Sequence, residues 1–253
     1  MRTAATGQRH RADADPVAAP EPGAAADVFV PYGPTHWAAL GLGAVGAVVL
    51  VLVGRRLRGR RAEVRFRRGF AVLILAFQVP VQVRRLLPGQ FDLHDSLPLQ
   101  LSDLAWIAAA YALWSGRWWA CALTYYWGLT LTPQAVFTPA LDAPDFPHLA
   151  FLEFWVLHLV LPWAAIHLTW GAGVRPDWRG LRVAVATTAA WAVLVLGFNA
   201  WAGTNYGFLN RKPDNPSLLD LLGPWPWYLV VELVLVVLGW ALITWPWTRR
   251  RGA

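Results

Sequence analysis

Gln100, Ser102 and Asp103 lie close together on this chain, as do Glu153 and His158, each set inside a stretch that is otherwise almost wholly apolar. Ser102 carries a hydroxyl that becomes a nucleophile once a base removes its proton. His158 and His94 have the residue type for that base. Asp103, Glu153 and Glu232 are carboxyls able to relay protons, and Gln100, Gln134 and Asn205 are amides able to polarise a carbonyl. Helical phase sorts these groups. Gln100 and Asp103, three apart, share a face, whereas Ser102 is turned about 100° from Asp103. His158 and His167 are nine apart and so about 180° around a helix. Only one of them faces a given cavity, and His158 is expected there, since His167 falls near the cytoplasmic interface, where water is available. Glu153, about 140° from His158, is expected to meet a different neighbour. The sequence has no His-x-x-x-His pair, phosphate-binding glycine loop or dinucleotide fingerprint. The single cysteine, Cys121, excludes an intramolecular disulfide and a Cys-cluster metal site. No metal and no cofactor are therefore expected.

Hydrophobic segments must position these groups. The 253 residues are 57% hydrophobic and 15% charged, against roughly 25% charged in a soluble domain. Apolar runs recur at 36–53, 69–86, 97–114, 117–138, 148–170, 181–202 and 223–247. A helix needs about 20 residues to cross the hydrocarbon layer, and these runs have about 18–25. A lipid-exposed open sheet would leave its backbone groups unpaired. The expected architecture is an all-α, polytopic transmembrane bundle of about seven helices over residues 33–248. A disordered extracytoplasmic tail, 1–32, precedes it, and a basic cytoplasmic end, 249–253, follows. The tail does not read as a signal peptide, because no cleavage site follows its late apolar run.

With the N-terminus outside and the C-terminus inside, the inner segments hold 15 of the 22 basic residues, eight of them between Arg55 and Arg68. Clusters of this kind are topology signals, so the pI of 10.3 does not point to nucleic acid. Trp225, Trp227 and Tyr228 open the last segment, and Trp245 and Trp247 close it, as interfacial belts do. Counting 1.5 Å per residue from the outer ends, Gln100 and Asp103 lie about 5–9 Å deep, Gln134 about 6 Å, Glu153 about 7 Å, Glu232 about 13 Å and His158 about 15 Å. Asn199 sits near an outer end and Gln78 within the second run. None of this group falls in the inner half, which predicts one polar cavity opening outward.

The stretch Ser96-Leu97-Pro98-Leu99-Gln100-Leu101-Ser102-Asp103 is similar to the LPLHLC-type segment of the YwaF-like bacterial integral membrane proteins. Thr132-Pro133-Gln134-Ala135 with Thr138-Pro139, and Phe154 to His158, resemble that family's fourth and fifth helices. The most specific likeness is Asn205-Tyr206-Gly207-Phe208-Leu209, Lys212-Pro213, Ser217-Leu218-Leu219-Asp220 and Gly223-Pro224-Trp225-Pro226-Trp227-Tyr228. The resemblance covers about residues 35–247 and extends distantly to eukaryotic multi-helix phospholipid acyltransferases that use a cysteine thiol and a histidine. It implies a lipid-facing acyl-transfer or hydrolysis site with Ser102 in the nucleophile position and His158 as the histidine. The family segment's His and Cys are Gln100 and Ser102 here, and serine needs a base to match a thiolate. In the loop 203–222, Arg211 and Lys212 are the expected phosphate contacts; equally, that loop's polar residues serve as turn caps, given Pro213, Pro216 and Gly223.

Two main readings stand. One is a lipid-directed acyl transferase or hydrolase with Ser102 and His158 as catalytic pair and Gln100, Asp103, Gln134, Asn205, Arg211, Lys212 and Glu232 around the substrate. The other is a proton-coupled transporter or a lipid-binding membrane protein without catalysis; an assembly partner with no chemistry is a third. The expected partners are membrane lipids, with a phospholipid or acyl chain as substrate and no nucleic acid. The expected location is the bacterial cell membrane, because Lys212 is the only lysine among so many arginines, a bias typical of GC-rich bacterial genomes.

Overall fold

A computed structural model describes residues 28–139, 141–213 and 218–249. The tail up to residue 27, Asp214, Arg250 and Arg251 lie outside them. The order is α1 (Pro34–Leu57), α2 (Arg61–Leu86), α3 (Leu101–Ser115), α4 (Trp118–Thr130), α5 (Thr132–Phe137), α6 (Leu149–Ile166), α7 (Trp178–Ala202) and α8 (Trp227–Arg249). The described residues contain no strand, only a single bridge between Val28 and Pro144. Each expected apolar run contains helix, but the third becomes α-helical only at Leu101 and the last only at Trp227. Five helices are long and apolar enough to cross a membrane: α1, α2, α6 with the turn after it, α7 and α8. The 15-residue α3 and 13-residue α4 are shorter.

Local chemistry sets the boundaries. Pro34 opens α1, where its missing N–H costs nothing. Gly116, at φ 66°, closes α3 and makes the tight hairpin into α4. The expected segment 117–138 is interrupted at Leu131, because Pro133 in the first turn of α5 has no N–H to continue the ladder. The Asp177 carboxylate caps α7 by accepting the Gly180 N–H at 2.8 Å.

α4 is the hub, buried continuously from Ala120 to Gly128. A helix surrounded on all sides is apolar all round, and its few polar atoms must bond to neighbours. Trp127 Nε1 donates to Thr188 on α7 at 2.9 Å, Tyr126 shares a 2.7 Å hydrogen bond with Thr244 on α8, and Trp240 Nε1 donates to Thr130 at 3.1 Å. Toward α6 the approach is closer still: a Cβ on Gly128 would lie 2.8 Å from the Leu161 carbonyl oxygen.

α1 packs against the far half of α6, which continues as a π turn, His167–Gly171. Trp163 Nε1 donates to the Gly43 carbonyl at 2.9 Å, and Arg58 donates to the Gly171 carbonyl at 2.6 and 3.0 Å. A Cβ on Gly54 would come within 2.5 Å of the Gly171 Cα. His167 is fully buried in this contact, its Nδ1 3.1 Å from the Leu50 carbonyl. The sequence expectation placed it near water; close α1–α6 packing seals it instead. Val28 to Tyr32, expected as tail, also dock: Phe29 is buried against His36, Phe151 and Trp155. The outward faces of α1, α7 and α8 expose Val45, Leu194 and Leu238, a surface suited to lipid.

Candidate functional site

α2, α3 and α6 converge at the end of the bundle where α6 begins, around a cavity of about 260 Å³. α2 contributes Gln78, Gln82 and Arg85, a polar stripe at helical spacing. α3 contributes Asp103 and Trp106. α6 contributes Ala150, Glu153, Phe154, Leu157 and His158, one i, i+3, i+4, i+7, i+8 stripe. Glu153 and His158 are its two edges. Sequence phase had separated them, but a face of this width takes in both; Glu153 meets another neighbour as well, its two oxygens each 2.6 Å from Arg84 Nη2.

His158 has a defined proton position. Its Nδ1 lies 2.6 Å from the Phe154 carbonyl oxygen, which can only accept. Nδ1 therefore carries the hydrogen, and in the neutral ring Nε2 keeps the lone pair. The Asp103 carboxylate accepts the Gln100 N–H at 3.0 Å, capping α3 from its third position.

The preceding stretch, residues 87–100, is irregular, and side chains satisfy its backbone. Gln82 donates to the Ser96 carbonyl at 2.8 Å and Trp191 to that of Leu99 at 2.9 Å. The Tyr206 hydroxyl donates to the Leu93 carbonyl at 2.7 Å and accepts the Leu97 N–H at 3.1 Å. Asn199 in turn holds the Tyr206 backbone at both N–H and C=O, each at 2.9 Å.

Beside the polar cavity runs an apolar groove of about 620 Å³ between α1, α2 and α6, floored by Leu42, Ile74, Trp155 and Leu159. The two share a wall made by Phe77 and Gln78.

The remaining expected residues are placed elsewhere. Ser102 is half-buried and outside the cavity lining, and no hydrogen bond among the described residues joins it to His158 or to the exposed His94. The Gln100 side-chain oxygen accepts the Gly207 N–H at 2.9 Å. Gln134 is exposed and donates to the Thr130 carbonyl at 3.0 Å. The Asn205 side chain organises its own turn, donating to the Arg211 carbonyl at 3.0 Å and accepting from the Asn210 and Arg211 amides. Arg211 is exposed, while Lys212 sits 3.7 Å from Asp220 and over the Tyr228 ring. Glu232 is exposed on α8 and borders neither the cavity nor the groove.

A family model described as the TMEM164 family matches residues 31–244. The chain belongs to the TMEM164 family. The matched stretch runs from just before α1 almost to the end of α8, so it takes in the groove, the cavity and the Tyr206 clamp. With a transmembrane family and five helices able to span, this TMEM164-family chain is a multi-pass membrane protein. No curated protein and no solved structure matches it.

Of the residues expected at the site, Asp103 and His158 line this cavity of the TMEM164-family chain. Glu153, expected to meet a different neighbour, lines it too, while Arg84, Arg85 and Gln82 were not among the expected site residues and Gln78 had no assigned role. The arginines read only as charge at a helix end. The signal that was present is the Gln78–Gln82–Arg85 spacing of four and three, which lays three polar side chains on one face.

Proposed function

We propose that this TMEM164-family protein takes a membrane lipid by one acyl chain into the α1–α2–α6 groove and acts on its carbonyl by acyl transfer or hydrolysis. The shared Phe77–Gln78 wall carries this reading: an apolar groove meets a polar, proton-handling cavity side by side, which is the division of a lipid into chain and linkage. The groove's volume lies within the roughly 300–1,000 Å³ of small-ligand sites. The sequence likeness to YwaF-like proteins, and through them to phospholipid acyltransferases, supports the same reaction class. On the arginine distribution, all seven long apolar runs cross the membrane with the N-terminus outside, and the cavity opens on the outer face of a bacterial cell membrane.

In this reaction His158 Nε2 takes the proton of an attacking hydroxyl, whose oxygen bonds to the acyl carbon. The ester C–O bond then breaks, and the same proton passes to the departing alkoxide. In one route the hydroxyl is that of Ser102, giving an acyl-enzyme that a second alcohol or water resolves. In the other, a water or acceptor alcohol in the cavity attacks directly; the position of Ser102 outside the lining favours this one.

The test is turnover of a phospholipid plus a lysophospholipid acceptor by protein in liposomes, read as transferred acyl chain and free fatty acid. His158→Ala is expected to lose activity. Loss in Ser102→Ala as well selects the acyl-enzyme route, and retention selects direct attack. An unmodified protein that turns over no acyl ester sinks the enzymatic reading.

A further inference from the structure

We infer that Gln78 receives the acyl carbonyl, making the apolar groove and the polar cavity two ends of one acyl-ester site joined at its side chain; this rests on the lipid reading above. Gln78 is only 5% exposed, and its Nε2 is buried with no hydrogen-bond partner among the described residues. A buried donor left unpaired is costly, and native interiors rarely tolerate one without a ligand or water to satisfy it. Gln78 borders both spaces, which sets its side chain in the wall they share.

The groove repeats the demand. Trp155, 4% exposed and part of its lining, has an indole Nε1 that is likewise buried and unpartnered. By contrast, Trp163 Nε1 on the same groove is spent on the Gly43 carbonyl. Both open groups are donors. The occupant must therefore bring oxygen acceptors into a wall that is otherwise carbon. A hydrocarbon chain alone does not, whereas an acyl ester does, and its carbonyl falls where the chain ends. Holding that oxygen with a donor also polarises the carbonyl for the attack described above.

A palmitoyl-ester lysophosphatidylcholine and its hexadecyl-ether counterpart differ at this carbonyl. Their dissociation constants would be measured on the full chain in nanodiscs, with His158→Gln present throughout so that the ester is not consumed. The ester is expected to bind about tenfold more tightly than the ether. Adding Gln78→Leu should bring the ester down to the affinity of the ether and leave the ether unchanged. That variant should also melt no lower than its parent, since an unpaired buried amide gives way to an apolar side chain of similar size. If Gln78→Leu keeps the ester preference, or if the parent binds both lipids equally, the Gln78 assignment fails while the lipid site stands. If neither lipid binds the parent, the lipid reading falls with it.

Discussion

His158 and His167 sit nine residues apart, one in α6 and one in the π turn that extends it, and their first nitrogens do the same thing. Each Nδ1 faces a backbone carbonyl, that of Phe154 for His158 and that of Leu50 for His167. The difference lies in the second nitrogen. Nε2 of His167 is buried without a partner among the described residues, in a contact where the Phe66 ring centre lies 5.0 Å away. His158 instead borders a cavity that also holds Asp103, Glu153 and Arg85. The two halves of this continuous stretch thus carry the same imidazole chemistry, with room to use it in only one of them. Proton transfer needs a base of suitable type and also a place for the partner molecule.

The sharpest way to break this comparison is to change both histidines. His158→Ala should lower acyl turnover by about 100-fold or more, the usual contribution of a positioned base. His167→Leu should keep turnover per folded molecule while lowering the melting temperature, because it removes the buried hydrogen bond to the Leu50 carbonyl, worth about 0.5–1.5 kcal/mol. Equal loss of turnover in the two variants would remove the distinction.

Volume offers a second contrast, along α1. Gly54→Val places atoms against the Gly171 backbone and should cost about 1–3 kcal/mol by overpacking. Ala38→Leu, on the same helix but facing the groove, should change stability little while reducing lipid binding. Thermal melts and lipid binding of the two variants read this directly.

A smaller effect is expected at the clamp. Tyr206→Phe leaves the Leu93 carbonyl and Leu97 amide without their partner and should cost about 1 kcal/mol, with a modest drop in turnover. Burial pushes the Tyr206 hydroxyl above its ordinary value of 10.0. Its contribution is therefore complete below pH 10 and fades as pH rises through the higher folded value. Wild type and Tyr206→Phe melts should converge at strongly alkaline pH.

Most of the helices were legible, because a run of apolar residues long enough to span has few other fates. The start of α3 was not. The run 97–114 looked helical from its first residue, but residues 87–100 take their hydrogen bonds from Gln82, Trp191 and Tyr206, and no local pattern announces partners so distant in sequence. Phase correctly put His158 and His167 on different sides of one stretch. It separated Glu153 from His158 because one angle per residue says nothing about how wide a face its neighbours leave open. Arg84 shows another limit: an arginine at a helix end looks the same whether it fixes orientation or holds a carboxylate. Gln78 stood in plain view, but only the folded chain shows that its Nε2 has no partner among the described residues.

The Asp103 carboxylate is oriented by the Gln100 amide, and the Gln100 side chain is anchored on the Gly207 amide. A loop beyond the ends of α7 and α8 is therefore two hydrogen bonds away from an acid on the cavity wall. Displacing Gly207 would loosen the α3 cap and change the aim of that acid without touching the cavity. By linkage, whatever steadies Asp103 also steadies the loop. Substitutions at the loop should thus be heard in the cavity, and a molecule seated in the cavity should quieten the loop.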